Sequence, residues 1–189
     1  MKRLGPSLLR SAGWLAFSAL AGSLLPTQGS VLQESQVKAS YLAALSKFVE
    51  WPPEAFRDAN SPVVVGILGR DPFGFELDRA LQTETAGGRS LEARRFGDLA
   101  HLGPCQILFI GAESGAALHD LIKRLGVTPI LTVGDSGDCA SGGGIVCFRT
   151  EKGEVRLEIN PAAAERAGLK VSSRLLAVAR IVADTGGDE

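Results

Sequence analysis

The chain has 189 residues, with 20 basic and 21 acidic side chains and a formal net charge of −1. The length suits one domain with a buried core. A charge balance without basic excess argues against nucleic acid as a partner, because phosphate neutralisation dominates that affinity.

Residues 1–29 read as a secretory signal peptide. Lys2, Arg3 and Arg10 make a basic start, Ala12 to Leu25 is an apolar run, Pro26 breaks it, and small residues near Thr27 and Gly29 offer a cleavage site near residue 29. The run falls short of the ~20 residues that span a bilayer as a helix; an uncleaved anchor is the alternative. Removing the leader leaves residues 30–189 as one domain, with 17 basic and 21 acidic residues and a net charge of −4.

Residues 33–50 predict a helix, with Val37, Tyr41, Leu45 and Val49 every four residues and Leu42 and Phe48 widening the stripe. Trp51-Pro52-Pro53 stops it. Residues 63–68 are a nearly all-apolar run that fits a strand covered on both faces. Asp71 reads as the N-cap of the next helix, with Pro72 at its first position and Phe73, Leu77, Ala80 and Leu81 on its buried face. Gly87-Gly88 closes that unit, 89–96 alternates loosely as a strand, and 98–102 is a helical turn. A strand over 105–110 follows, then a helix capped by Ser114 and ended by Gly126, then an apolar strand over 129–133. Residues 145–149 and 154–159 flank Glu151-Lys152-Gly153 as a hairpin. Asn160-Pro161 opens a short helix, Gly168 ends it, and Ser172 caps a last helix reaching Val182. This order predicts an α/β fold: a mixed, mainly parallel sheet with an antiparallel edge hairpin and helices on both faces, a Rossmann-like three-layer arrangement.

Cys139 and Cys147 flank a Gly-rich loop that can fold back tightly, and exported chains oxidise their thiols, so a disulfide is the natural reading. Two reduced thiols are the alternative, and zinc lacks further ligands nearby. Cys105 opens a strand and reads as a buried free thiol.

No catalytic constellation emerges. Gly134-Asp135-Ser136-Gly137 resembles a serine-protease nucleophile motif, but the α/β alternation contradicts that fold, and neither His101 nor His119 sits in the required context. Ser114 is off the centre of a nucleophile elbow. Gly66-Ile67-Leu68-Gly69 lacks the third glycine of a dinucleotide fingerprint, and Asp71 puts negative charge where phosphate would sit. Ser141-Gly142-Gly143-Gly144 lacks the lysine of a phosphate loop. Neither a cofactor nor a metal is expected, and the chain reads as non-enzymatic.

Six segments, in order, resemble the YfiR-like periplasmic proteins. Residues 38–52 match K-x-x-Y-L…K-F-V-x-W-P, and 65–74 resemble the family's first strand and turn. Residues 105–110 match C-x-I-L-F-I, 130–135 match I-L-T-V-x-D, and 158–160 with 168–176 match x-I-N…G-L-x-I-S-S-x-L-L. The likeness covers about residues 38–182. It implies a periplasmic, non-enzymatic regulator: the family's best-known member represses an inner-membrane diguanylate cyclase by binding its periplasmic part and is sequestered by an outer-membrane-associated partner, other members serve different membrane sensors, and a homodimeric state is expected. Cys139 and Cys147 match the family's C-terminal-half pair. Cys105 matches a position that some relatives bridge to an upstream cysteine, which this chain lacks.

A module binding a small ligand or cell-wall fragment is the rival reading, with a cleft at the strand ends near Arg70, Gly111 and Asp135. Trp51, Arg70, Asp135 and Arg174 are the candidate partner or ligand contacts. Trp51 reads more readily as a core residue than as an anchor, and Arg174, unfavourable near a helix start, needs a carboxylate or a partner.

Overall fold

A computed structural model describes residues 28–183. The expected leader lies outside them but for Gln28 and Gly29, which begin the first helix.

Helix α1 (Gln28–Leu45) ends five residues before the predicted boundary. Ser46 Oγ donates to Ala43 O, Phe48 N donates to Leu45 O, and the chain straightens into β1 (Val49–Glu50), antiparallel to Lys170–Val171. Val49 falls on the helical spacing, yet as a β-branched residue it is used in a strand pair with Val171. Ala39, Leu42, Ala43 and Leu45 carry the buried stripe, whereas Val37 stays exposed.

Strand β2 (Val63–Gly69) is an interior strand, third from one edge of the sheet. Asp71 does not cap the next helix as predicted. Its Oδ1 accepts from Phe73 N and Gly74 N, closing an Asx-type turn through Pro72. Helix α2 (Phe75–Gln82) therefore starts three residues after Pro72. Arg95 fastens that turn by donating to Asp71, Gly74 and Asp78. Gly87-Gly88, both at positive φ, makes a two-residue hairpin between β3 (Thr85–Ala86) and β4 (Arg89–Phe96). β5 (Ile107–Gly111) leads into α3 (Gly115–Leu125), whose cap Ser114 accepts from Ala117 N as expected. β6 (Leu131–Gly134) enters the Cys139–Cys147 loop, and β7 (Val146–Glu151) and β8 (Glu154–Ile159) form the predicted hairpin around Lys152-Gly153.

Asn160 caps α4 (Pro161–Arg166) by accepting from Ala163 N. β9 (Lys170–Val171) is the partner of β1. Helix α5 (Ser173–Val178) is shorter than predicted, because Arg180–Ile181 forms β10 beside β8 and Val182 N donates to Ile159 O.

The eight-stranded sheet runs β10-β8-β7-β6-β5-β2-β4-β3, and five of its seven pairings are parallel. Within it, β4-β2-β5-β6-β7 has the 2-1-3-4-5 order of a doubly wound sheet. The hairpin lies one strand inside the edge, since β10 covers β8. Alternation along β2 divides the core: Val63, Val65 and Ile67 face α1 and α2, while Val64 and Leu68 face α3 and the disulfide. Fully buried Leu42, Leu77, Leu81, Phe109 and Leu118 each contribute roughly 1.5–3 kcal/mol of transfer free energy.

Candidate functional site

The parallel strands end together where loops leave β2, β5 and β6, the place where doubly wound folds hold ligands. Here two of those strand ends run close together. A Cβ on Gly111 would lie 2.0 Å from Arg70 O, and one on Gly69 3.1 Å from Gly111 O. Beside Arg70 and Gly111, where a cleft was expected, main chain therefore packs on main chain.

Asp135 leaves β6 with its side chain 7 % exposed. Its Oδ2 receives Lys38 Nζ of α1 at 3.4 Å. Its Oδ1 is buried without a hydrogen-bond partner among the described residues, and Arg70 Nη2 stands 3.9 Å off, too far for a hydrogen bond. Lys38 Nζ also meets Glu34 Oε1 at 2.7 Å, and Thr150 Oγ1 donates to the same oxygen. The hydrogen-bonded Lys38 ammonium holds the Glu34 carboxyl below its ordinary pKa. Arg70 and Asp135 are therefore brought together, with Lys38 and Glu34 added. Sequence reading quoted Lys38 only as part of a motif. Its signal was position: it precedes Leu42 by four and Leu45 by seven residues, so a charge lies on the buried stripe.

Three large apolar side chains near the starts of α1 and α2 are exposed. Val31 and Leu32 of α1 are 58 % and 59 % exposed, and Phe75, the first residue of α2, is 72 % exposed. Phe75 follows the turn that leaves β2, and Val31 lies one helical turn before Glu34, which meets Thr150 of β7.

Trp51 and Arg174 lie apart from this cluster. The Trp51 indole N–H donates to Gln106 O at the opposite end of β5, and its ring packs on the core. Gln106 ties that end together: its Oε1 accepts from Val64 N and its Nε2 donates to Ala55 O. Arg174 is exposed and makes no salt bridge among the described residues.

The protease-like tetrapeptide is structural. Asp135 is committed to Lys38, the Ser136 Oγ is buried without a partner among the described residues, and Gly134 makes room for the disulfide, since a Cβ there would lie 2.8 Å from Cys139 Sγ. Cys139 and Cys147 are joined, S–S 2.07 Å. Asp138 Oδ1 within the loop accepts from Gly115 N at 2.7 Å, so the loop seats the start of α3. Glu158, buried beside this loop, receives Arg149 at 3.4 Å and Arg180 at 3.2 Å. Cys105 is the free thiol, and burial pushes its pKa up to about 12. No group of three or more His, Cys, Asp or Glu suited to a metal ion occurs among the described residues.

Fold and site together define a doubly wound α/β scaffold with a buried charged pair at the ends of its parallel strands. The family model described as YfiR/HmsC-like matches residues 35–180. The chain belongs to the YfiR/HmsC-like family. That membership supports, in general terms, a periplasmic regulator of cyclic di-GMP signalling, a role in which members act by interaction with membrane signalling proteins rather than by catalysis.

Proposed function

We propose that the protein modulates, and in the simplest case represses, an inner-membrane signalling protein such as a diguanylate cyclase by binding its periplasmic part. The chain reaches the periplasm through the leader at residues 1–29, works as a homodimer, and is released from its target by an outer-membrane-associated partner. The observations that support this reading are the exposed apolar side chains of Phe75, Val31 and Leu32 at the starts of α2 and α1, and the Lys38–Asp135 pair buried beside Arg70. Apolar and aromatic anchors around a fixed polar centre are what a protein-binding hot spot needs. Trp51 and Arg174 are secondary contacts in this proposal.

The test couples binding to signalling. Pull-down from solubilised inner membranes recovers a cyclase or kinase with the wild-type chain, and Phe75→Ala with Leu32→Ala lowers that recovery at least about 10-fold without lowering Tm. Deleting the gene changes cellular cyclic di-GMP. Unchanged cyclic di-GMP together with an empty pull-down would overturn the proposal.

A further inference from the structure

Strand β10 covers only the end of its neighbour. It pairs with β8 at Glu158 and Ile159, so Glu154–Leu157 has β7 on one side and no strand on the other among the described residues. The register fixes which peptide groups face outward. Asn160 N donates to Ile145 O, and the alternation from that bond makes Cys147–Glu158, Arg149–Arg156 and Glu151–Glu154 the hydrogen-bonded pairs of the hairpin. Val155 and Leu157 therefore aim their peptides away from β7, as Ile159 does, whose carbonyl accepts from Val182 N just past β10. Grooves of about 390 and 590 Å³ both border Val155 and Arg156, so this edge is open. Val37 and Val178, exposed on the α1 side, line those grooves.

Charge on the other face is arranged in an unusual way. Glu154 lies directly opposite Glu151, and Arg156 directly opposite Arg149. Like charges facing each other across a strand pair are destabilising. Glu154 and Arg156 bond each other at 2.6 Å, but both are well exposed, and neither has an opposite charge across the hairpin. Charges on an edge strand ordinarily repel a second strand. Here one of each sign stands two residues apart, so the guard fails against a copy of itself.

We infer that this edge is where two copies of the chain meet, β8 against β8, antiparallel, with Val155 opposite the partner's Val155. The inference rests on the homodimeric reading above and assigns its surface. In that register the two Val155 peptides exchange both their hydrogen bonds, Glu154 faces the partner's Arg156, and Arg156 faces the partner's Glu154. Each row across the joined sheet then reads two carboxylates followed by two guanidiniums. Centring the pair on Arg156 would oppose two arginines, and centring it on Leu157 would need the Ile159 carbonyl that Val182 N already occupies. The contact is isologous and closes on itself.

Sedimentation velocity on the leader-free chain, from micromolar to submillimolar concentration, tests this. Wild type dimerises. Glu154→Arg and Arg156→Glu each weaken the dimer at least about 10-fold, because each sets like charges across the two-fold axis. Both variants keep the wild-type Tm or exceed it, since each swap puts opposite charges across the hairpin, against Glu151 or Arg149. Mixing the two variants restores a dimer, now mixed, and so does combining both swaps in one chain. A wild-type chain that stays monomeric overturns this inference and the homodimeric reading together. A dimer that both swaps leave intact, or a mixture no tighter than its components, overturns this inference alone and moves the dimer to another face.

Discussion

Lys38 and Asp135, 97 positions apart in the chain, meet at 3.4 Å in side chains that are 9 % and 7 % exposed. Removing one member of so buried a pair strands the other charge, at a cost of about 3–5 kcal/mol. Arg70, 3.9 Å from Asp135, remains to offset part of the stranded charge when Lys38 is removed, so the lower end of that range applies. Lys38→Met should lower the unfolding free energy by about 3 kcal/mol in urea titrations. Lys38→Met with Asp135→Leu should recover part of that loss. A double variant as unstable as the two single losses added together would show that the residues are not coupled.

Gly111 should tolerate no side chain. Alanine there needs the Arg70 carbonyl to leave a position 2.0 Å from the new carbon, and neither strand end can shift without breaking the β2–β5 pairing of Gly69 with Gly111. Gly111→Ala should cost about 3 kcal/mol or more, the range of overpacking in a rigid site. Gly137→Ala, where an added Cβ meets nothing within 4 Å, is the control and should change stability little. Equal melting temperatures for the two variants would refute the close approach of the Arg70 carbonyl to Gly111.

Cys105 sets an alkaline limit. Its pKa is raised by burial to about 12, from the ordinary thiol value of 9.0. The unfolded chain therefore loses this proton first as pH rises. The stabilisation is complete below pH 9 and is lost progressively between pH 9 and about 12, with a slope approaching ~1.4 kcal/mol per pH unit. Cys105→Ala should flatten that part of the stability profile, and the native thiol should resist iodoacetamide at pH 8. An unaltered alkaline slope in the variant would assign the loss to other groups.

The Cys139–Cys147 bridge closes a loop of eight residues' separation, and the loop-closure model gives ~2.5 kcal/mol for it. Replacing both cysteines by alanine should remove about that much stability. The loss should be felt at α3, since Asp138 Oδ1 holds Gly115 N. Hydrogen exchange at Gly115 should accelerate while Leu108, deep in β5, stays protected. Non-reducing mass analysis should find Cys139 and Cys147 linked and Cys105 free; two free thiols at 139 and 147 in exported protein would remove the bridge from the account.

Much of the sheet could be read from the residues, for a physical reason. Strands β2, β5 and β6 are buried on both faces, so their sequences are almost unbroken apolar runs. Caps at Ser114, Asn160 and Ser172 were legible because each bond lies within three residues of its cap. What stayed hidden was defined by distant partners. β1 and β10 are two residues each, and nothing local says that Val49 will meet Val171 or that Arg180 will lie beside Glu158. Asp71 was misread as a helix cap because an Asx-type turn and an N-cap use the same residue with the same acceptor atom; Arg95, 24 positions on, decides between them. At the site, Arg70 and Asp135 were placed together at the strand ends, but without Lys38. Their meeting with Lys38 follows only from α1 lying across the sheet.

The close approach of these strand ends limits what substitution can do there. In a doubly wound protein with an open crevice, specificity drifts by exchanging side chains around a cavity that persists. At Gly111 the near neighbour is the peptide of Arg70 itself. No exchange of side chains removes a peptide, so that contact persists through point substitution. The exposed Phe75, Leu32 and Arg70 side chains are free of that constraint and can change without disturbing the strands beneath.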